Sequence, residues 1–231
     1  MSYLVETNRC KLDNTTIKNI ILLALLTAMQ IGELGALNYT KNIDWNNNCI
    51  RFDTTLSKDE NQKVIIGTNT KTGKKKIKKN QNDEIEVPFD IFNKNLFISI
   101  LNEQIKVAKN NKYNKNHLLF CSKDGSFIHH TSLTNIFKKI CRDASIKTNL
   151  AKGCHIHMCR HTAITRMIES GMDLMVIAKI VGHVDTKQIE RTYGHILQQF
   201  QKEQLELSRN HYANNNLFTL QMKNTLIKKQ S

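Results

Sequence analysis

Apolar side chains recur along this chain at two different periods, and the switch between them defines its predicted elements. Ile17, Ile20, Ile21, Ala24 and Leu25 return every three to four residues, the spacing of an α-helix. Asp13 or Thr15 can supply its N-cap oxygen. The richness of this segment in Ile and Leu predicts burial on more than one side. Three later segments change character. Residues 49–55 alternate with the period of a strand, residues 63–68 are rich in β-branched side chains, and residues 84–89 end against Pro88. They predict a small three-stranded antiparallel sheet, with a turn at Thr72-Gly73 and a basic run between the last two strands.

From residue 90 onward the helical period returns. Ile91, Phe92, Leu96, Phe97, Ile100, Leu101 and Ile105 mark one helix over 90–109. Leu133, Ile136, Phe137 and Ile140 mark another over 132–144. Helices are predicted over 157–170, 173–181 and 186–192, and a last segment of mixed polarity covers 196–212. Gly171 separates the first two of these, and Asp173 can cap the second. Residues 213–231 read as a polar, basic tail with one apolar patch at Leu217 to Leu220. The fold class that follows is mainly α with a small three-stranded antiparallel β-sheet (α+β). No internal repeat or Pro/Gly-rich linker divides the chain.

Composition narrows the function. The 231 residues carry 34 Lys+Arg against 20 Asp+Glu, a net charge of +14. Such a balance fits a polyanionic partner, most simply nucleic acid. A compositional bias toward Lys (27) and Asn (26) explains part of it, but not the scarcity of acids. The longest apolar run, Ile20 to Leu26, is seven residues, too short to span a bilayer. Residues 1–10 lack a signal-peptide pattern, and the six scattered cysteines do not form the framework of a small secreted protein. A cytoplasmic protein with no membrane segment is the expectation.

Candidate chemistry concentrates between residues 157 and 195. His157 and Arg160 lie three residues apart and share a helix face. Arginine presents a planar fork of donors matched to a phosphate, and histidine exchanges a proton near neutral pH. His183 follows a predicted helix end, and Tyr193 lies ten residues further on. A tyrosine oxygen attacks phosphorus competently when cations favour its phenolate. Cys154, His155, His157, Cys159 and His161 also raise zinc, but without a paired C-x-x-C the spacing points away from a metal. His155 and His161 read as structural or phosphate-adjacent residues, Met172 and Met175 as core, the cysteines as buried thiols, and Trp45 as a packing residue.

At these positions the sequence resembles the tyrosine recombinase (phage integrase) family. H-M-C-R-H-T (157–162) is similar to the family's H-x-x-R-H-T box, and residues 171–183, ending V-G-H, to its G-x-x-L…L-G-H helix pair. The step from His183 to Tyr193 fits the family spacing. T-K-T-G-K (70–74) resembles the hairpin turn bearing the family's catalytic lysine, and residues 27–37 resemble its T-G-x-R-x-x-E segment. The resemblance implies a catalytic domain over 14–212, with a short lead over 1–13 and a tail over 213–231 that packs in trans. It implies that Tyr193 attacks a DNA phosphate and holds a 3′-phosphotyrosine, Arg160 clamps the non-bridging oxygens, and His183 hydrogen-bonds the phosphate. His157 assists proton transfer, and Lys71 protonates the departing 5′ oxygen. Lys74, Lys75 and Lys76 would add backbone phosphate contacts. The implied partners are double-stranded DNA and further copies of the chain, a tetramer on two DNA sites; no metal or other cofactor is implied.

Three departures from the family pattern qualify that reading. Gln30 occupies the place of the family's first arginine, while Glu33, Leu34 and Leu37 keep the frame. A neutral amide makes no charged two-pronged contact, so an impaired enzyme is expected. An engineered change, a decayed element gene, or a replacing cation from Lys41, Arg51 or Arg191 are the alternatives. A separate helical domain normally precedes the catalytic one in this family, and only about a dozen residues precede the first helix here. A fragment or a truncated product is the expectation, with salt-sensitive DNA binding. The basic turn, with six lysines within residues 71–79, is longer than the family's usual one. Two other readings remain: a non-catalytic DNA-binding remnant, and an RNA-binding basic protein, the latter giving no reason for the His157, Arg160, His183 and Tyr193 spacing.

Overall fold

Asp13 opens the first helix, accepting hydrogen bonds from the Thr15 and Thr16 amides at 2.9 and 3.2 Å. The computed structural model describes residues 11–61, 63–68, 84–146, 153–183 and 185–214. Seven helices are described within them: α1 (Asn14–Thr27), α2 (Ile31–Ala36), α3 (Lys94–Asn110), α4 (His130–Asp143), α5 (His157–Glu169), α6 (Leu174–Ile180) and α7 (Lys187–Asn214). Five short strands join them: β1 (Ile43–Asp44), β2 (Cys49–Phe52), β3 (Thr54–Lys58), β4 (Val64–Thr68) and β5 (Ile85–Pro88). No described helix is long and apolar enough to cross a membrane.

The expected α+β class holds, with a different division of strands. The three-stranded antiparallel sheet has the order β1-β2-β5, and β3 pairs with β4 in a separate two-stranded ribbon. The segment at 49–55, read as one strand, breaks at Asp53. Ile50 and Phe52 face the core from β2, opposite Val87 and Ile85 of β5. The chain then turns out into the ribbon, whose Ile65 and Ile66 are exposed. A second difference lies in the last helices. Residues 186–192 and 196–212 were expected as two segments and form one helix, α7, because Gly194 sits mid-helix in open space and does not break it. The single Tyr193-Gly194 pair therefore does not punctuate this stretch.

The core is built around α1, which packs against both α3 and α5. Ile20 and Leu23 are fully buried at its centre, which accounts for an apolar surface that is not confined to one face. Removing a side chain of this size from water stabilises by roughly 1.5–3 kcal/mol. A polar clasp crosses the same interface: Asn19 donates to the Gln104 side chain at 3.2 Å, and Gln104 donates to the Leu119 carbonyl at 2.9 Å. Phe89 stacks on Phe97 at 5.2 Å between ring centroids, and Trp45 meets Phe89 edge-on at 5.6 Å, a packing contact as expected. Met172 packs against the core, whereas Met175 is 63% exposed on α6, contrary to expectation. Its two-residue step past the Asp173 cap turns it to the outside of that short helix. The described cysteines are buried. Helix α2 lies directly on β3, and a Cβ added to Gly32 would stand 2.5 Å from Thr55 Oγ1 and 3.3 Å from the Leu56 carbonyl. That close approach fixes α2, and with it residue 30 at its N-terminus.

Candidate active site

Helix α5 begins at His157, so His157 and His161 fall one turn apart and Arg160 turns inward beside them. The two imidazoles meet edge-on with ring centroids 5.4 Å apart. Arg160 is 6% exposed. Its Nη1 donates to the Ala28 carbonyl at 2.5 Å and its Nη2 to the Val181 carbonyl at 2.9 Å, with His183 Nε2 at 3.4 Å from Nη2. One guanidinium thus ties the end of α1 to the end of α6. Local sequence makes both ends suitable. Gly182 adopts φ 66°, the His183 amide donates to Ala178 at 2.8 Å and the Gly182 amide to Lys179 at 3.1 Å. This helix stop turns the Val181 carbonyl toward Arg160 and delivers His183. Ala28 ends α1 in the left-handed region at φ 57°, a conformation costing an L-residue roughly 1–2 kcal/mol.

Tyr193 enters from α7, which packs on α5. Its ring is buried, and its hydroxyl lies 2.7 Å from His161 Nδ1. Burial pushes the phenol up to about 12, and the Arg160 charge opposes that rise. His157 and His161 lie on the exposed side of α5; partial desolvation is still the largest influence at His157, driving it down to about 4, with further depression from His161, Arg160, His155 and His130. His161 is lowered by burial, then by His155 and Arg160. Burial lowers Arg160, against the carboxylate of Glu33 and the phenol of Tyr193, which hold it up. Glu33, almost wholly buried, also accepts from the Gln30 amide at 2.7 Å. The cluster therefore sets a guanidinium balanced by Glu33 beside imidazoles whose charged forms are disfavoured, and an anion bound there would favour those charged forms.

Residues 2–199 match the family model described as the phage integrase family. The chain belongs to that family. The integrase of Staphylococcus phage L54a is 26% identical over 179 residues, 77% of this chain and 47% of that protein. The chain thus spans about half the length of this curated relative. Among solved structures, the Tn1549 transposon integrase (aa 82-397) in complex with circular intermediate DNA is similar with a TM-score of 0.62 at 22% identity, covering 81% of this chain and 58% of that one. The XerH site-specific recombinase bound to palindromic difH substrate gives a TM-score of 0.55 at 20% identity, over 91% of this chain and 49% of that one. These likenesses show the fold, that of tyrosine recombinase catalytic domains.

Against the family's boxes, the described residues fall as follows. Tyr193, Arg160, His157 and His183 come together from α7, α5 and the turn that follows α6. Gln30 is the half-buried N-cap of α2, two residues beyond the carbonyl that Arg160 grips. Lys71, Lys74, Lys75 and Lys76 lie outside the described residues, as does the Leu217 to Leu220 patch. Of the cations considered as replacements for the arginine, Arg51 is engaged by Asp44 at 3.0 Å and Glu86 at 2.8 Å on the sheet. Lys41 and Arg191 are exposed. Among the described residues no cluster of three or more His, Cys, Asp or Glu could hold a metal ion. Two residues gained a place that sequence reasoning did not give them. His161 touches the Tyr193 hydroxyl, and its spacing of four from His157 was the available signal. Glu33 faces Arg160, whereas in the sequence it served only to keep the alignment frame.

Proposed function

We propose that this chain is the DNA strand-cleaving and rejoining part of a site-specific recombinase or integrase. The observation that carries the reading is the meeting of the Tyr193 hydroxyl, Arg160, His157 and His183 in one cluster. Tyr193 attacks the scissile phosphodiester of duplex DNA, forming a 3′-phosphotyrosine and releasing a 5′-hydroxyl. Two of the five Arg160 N–H donors go to the Ala28 and Val181 carbonyls, which aims the remainder of the fork at the non-bridging oxygens. His183, held by the α6 stop, hydrogen-bonds the same phosphate. His157, whose imidazolium is disfavoured by desolvation and by its neighbours, takes a proton once the phosphate charge arrives. Lys71 delivers a proton to the leaving 5′ oxygen, with Lys74, Lys75 and Lys76 on the flanking backbone. The phosphotyrosine conserves the energy of the broken bond, so a second 5′-hydroxyl reverses the step. The similar Tn1549 integrase in complex with circular intermediate DNA and XerH bound to palindromic difH substrate support duplex DNA as the substrate class. A tetramer on two sites is the expected assembly by analogy with the family.

Gln30 sets the rate. An amide at this position supplies no positive charge to the developing phosphorane, and loss of one preorganised donor costs about 10²–10³ in rate. The test is a pool of nicked duplexes with a randomised core, from which detergent-stable protein–DNA adducts are captured and sequenced. Adducts from the wild-type chain that disappear with Tyr193→Phe support the reading. Adducts from Gln30→Arg alone, with none from wild type, favour a DNA-binding remnant. Adducts that survive Tyr193→Phe overturn the assignment of the nucleophile.

A further inference from the structure

A buried tyrosine is a poor nucleophile until something removes its proton, and the pocket holds one group in position to do so. The phenol oxygen of Tyr193 stands 2.7 Å from His161 Nδ1, within the 2.6–3.2 Å expected of a base and the group it deprotonates. The rings are tilted against each other, 5.8 Å between centroids and 53° between planes, so the contact is a hydrogen bond in each ring's edge rather than a stack. Both partners sit on rigid elements, α5 and α7, that pack together. We propose that His161 is the general base of the cleavage step, taking the Tyr193 phenol proton on Nδ1 as the tyrosine oxygen bonds to phosphorus. The inference rests on Tyr193 being the attacking residue.

The step balances without any added reactant. The Tyr193 O–H bond breaks, its oxygen forms the bond to phosphorus, and the proton moves to Nδ1. The phosphorus–O5′ bond breaks, and the 5′ oxygen takes its proton from a different donor. In rejoining, the 5′-hydroxyl returns its proton to the donor that supplied it and its oxygen attacks phosphorus, the phosphorus–Tyr193 oxygen bond breaks, and His161 returns its proton to the leaving phenol oxygen. The surroundings suit a base. His157 and Arg160 on the same helix, His155 ahead of it and Tyr193 across from it are the titratable groups that face His161. Burial first, then His155 and Arg160, disfavour the His161 imidazolium; to act as the base, the neutral ring must be the tautomer with its lone pair on Nδ1, facing the phenol, and its proton on Nε2. Burial keeps phenolate scarce near pH 7, so a base in direct contact has a barrier to lower. His157 does not serve this purpose as directly, because it reaches the phenol's partner rather than the phenol.

Two measurements on the full chain test this. The first is ¹⁵N NMR of the histidine-labelled, DNA-free protein, with the His161 signals assigned by their loss in His161→Asn. The expected result is a hydrogen-bonded, unprotonated Nδ1 and a protonated Nε2; the reverse tautomer overturns the inference whether or not the chain cleaves DNA. The second is the rate of adduct formation on the captured nicked duplex, in the wild-type and Gln30→Arg backgrounds. Asparagine can place an acceptor where Nδ1 was but cannot take the proton, so His161→Asn and His161→Ala should both slow adduct formation by about 10²–10⁴. Free imidazole should restore part of the rate to His161→Ala, and the affinity for uncleaved DNA should stay within about twofold. A duplex with a 5′-bridging sulfur, whose leaving group needs no proton, should leave the defect in place. An Asn variant within about threefold of the parent, or relief by the sulfur substrate, overturns the inference. Adduct formation that persists with Tyr193→Phe instead removes the reading of the nucleophile beneath it.

Discussion

Replacing Arg160 by methionine should destabilise the domain as well as remove its phosphate clamp. Methionine keeps a stem of similar length and removes the fork. The Ala28 and Val181 carbonyls, in residues 0% and 2% exposed, then lose their charged donor. Glu33, 1% exposed, loses the cation that faces it. A buried polar group left unsatisfied costs about 1–3 kcal/mol, and breaking a buried charge pair by removing one member costs about 3–5 kcal/mol. These overlap, since the same guanidinium serves all three, so the expected loss is about 3–5 kcal/mol rather than their sum. For a domain of this size each kcal/mol lowers the melting temperature by about 2–4 °C, giving a fall of roughly 6–20 °C. Urea unfolding of the DNA-free chain, followed by circular dichroism, measures it directly. Arg160→Lys should fall between the two, because it keeps a charge opposite Glu33 but cannot reach both carbonyls. Adding Glu33→Gln to Arg160→Met should recover about 1 kcal/mol or more relative to the sum of the single changes. If Arg160→Met unfolds within about 1 kcal/mol of wild type, the guanidinium is not the tie between α1 and α6, and its role is confined to DNA. If the Glu33 and Arg160 changes are additive, the carboxylate is not its electrostatic partner.

The remaining predictions concern pH, packing and salt. The His157 pKa is about 4 in the fold against an ordinary 6.5, so the unfolded chain binds the proton first. Stability should therefore be fully present above about pH 6.5, decline as the pH falls, and stop changing through this group near pH 4. His157→Gln should flatten that part of a urea-midpoint profile, and an unchanged slope would refute the assignment. Gly32→Ala forces its new methyl against Thr55 and the Leu56 carbonyl and should cost about 1–3 kcal/mol in urea unfolding, while Gly194→Ala, in open space, should be neutral or stabilising. Lys75→Gln should weaken duplex binding about equally for all sequences and reduce the slope of log affinity against log salt by about one. A sequence-dependent loss would instead mean that the residue reads bases.

What the sequence revealed and what it concealed follow from the range of the interactions involved. Local signals were readable: Asp13 and Asp173 were named as caps, and both accept amide hydrogen bonds. The apolar periods of α1, α3 and α4, and the predicted range of α5, matched the observed helices to within a few residues at their ends. Strand partnership was not readable in the same way. Whether β4 joins β5 or folds back on β3 depends on the break at Asp53 and on β1, a two-residue strand too short to show a period. The placement of His157 with Arg160 on one helix and of His183 at a helix stop was legible because a helix face and a helix stop are local devices. Glu33 and His161 were not, because their importance lies in contacts across the fold, with a guanidinium more than a hundred residues away in one case and a phenol 32 residues away in the other.

The same distinction bears on Gln30. At the sequence level it is a lost charge and nothing more. In the fold it sits at the N-terminus of α2, where its amide is held by Glu33, and Glu33 in turn faces Arg160. The carboxylate that fixes the segment bearing residue 30 also holds the remaining arginine in its charged form. With an arginine at 30, Glu33 would have two cations to balance; with glutamine, it balances Arg160 alone. Gln30→Arg should therefore do more than add one donor to the pocket. It should weaken the hold of Glu33 on Arg160, so that the stability lost in Arg160→Met becomes smaller in the Gln30→Arg background. That coupling is measurable in DNA-free protein by urea unfolding of the four variants. Equal Arg160→Met losses in the two backgrounds would mean that residue 30 and Arg160 do not share this carboxylate.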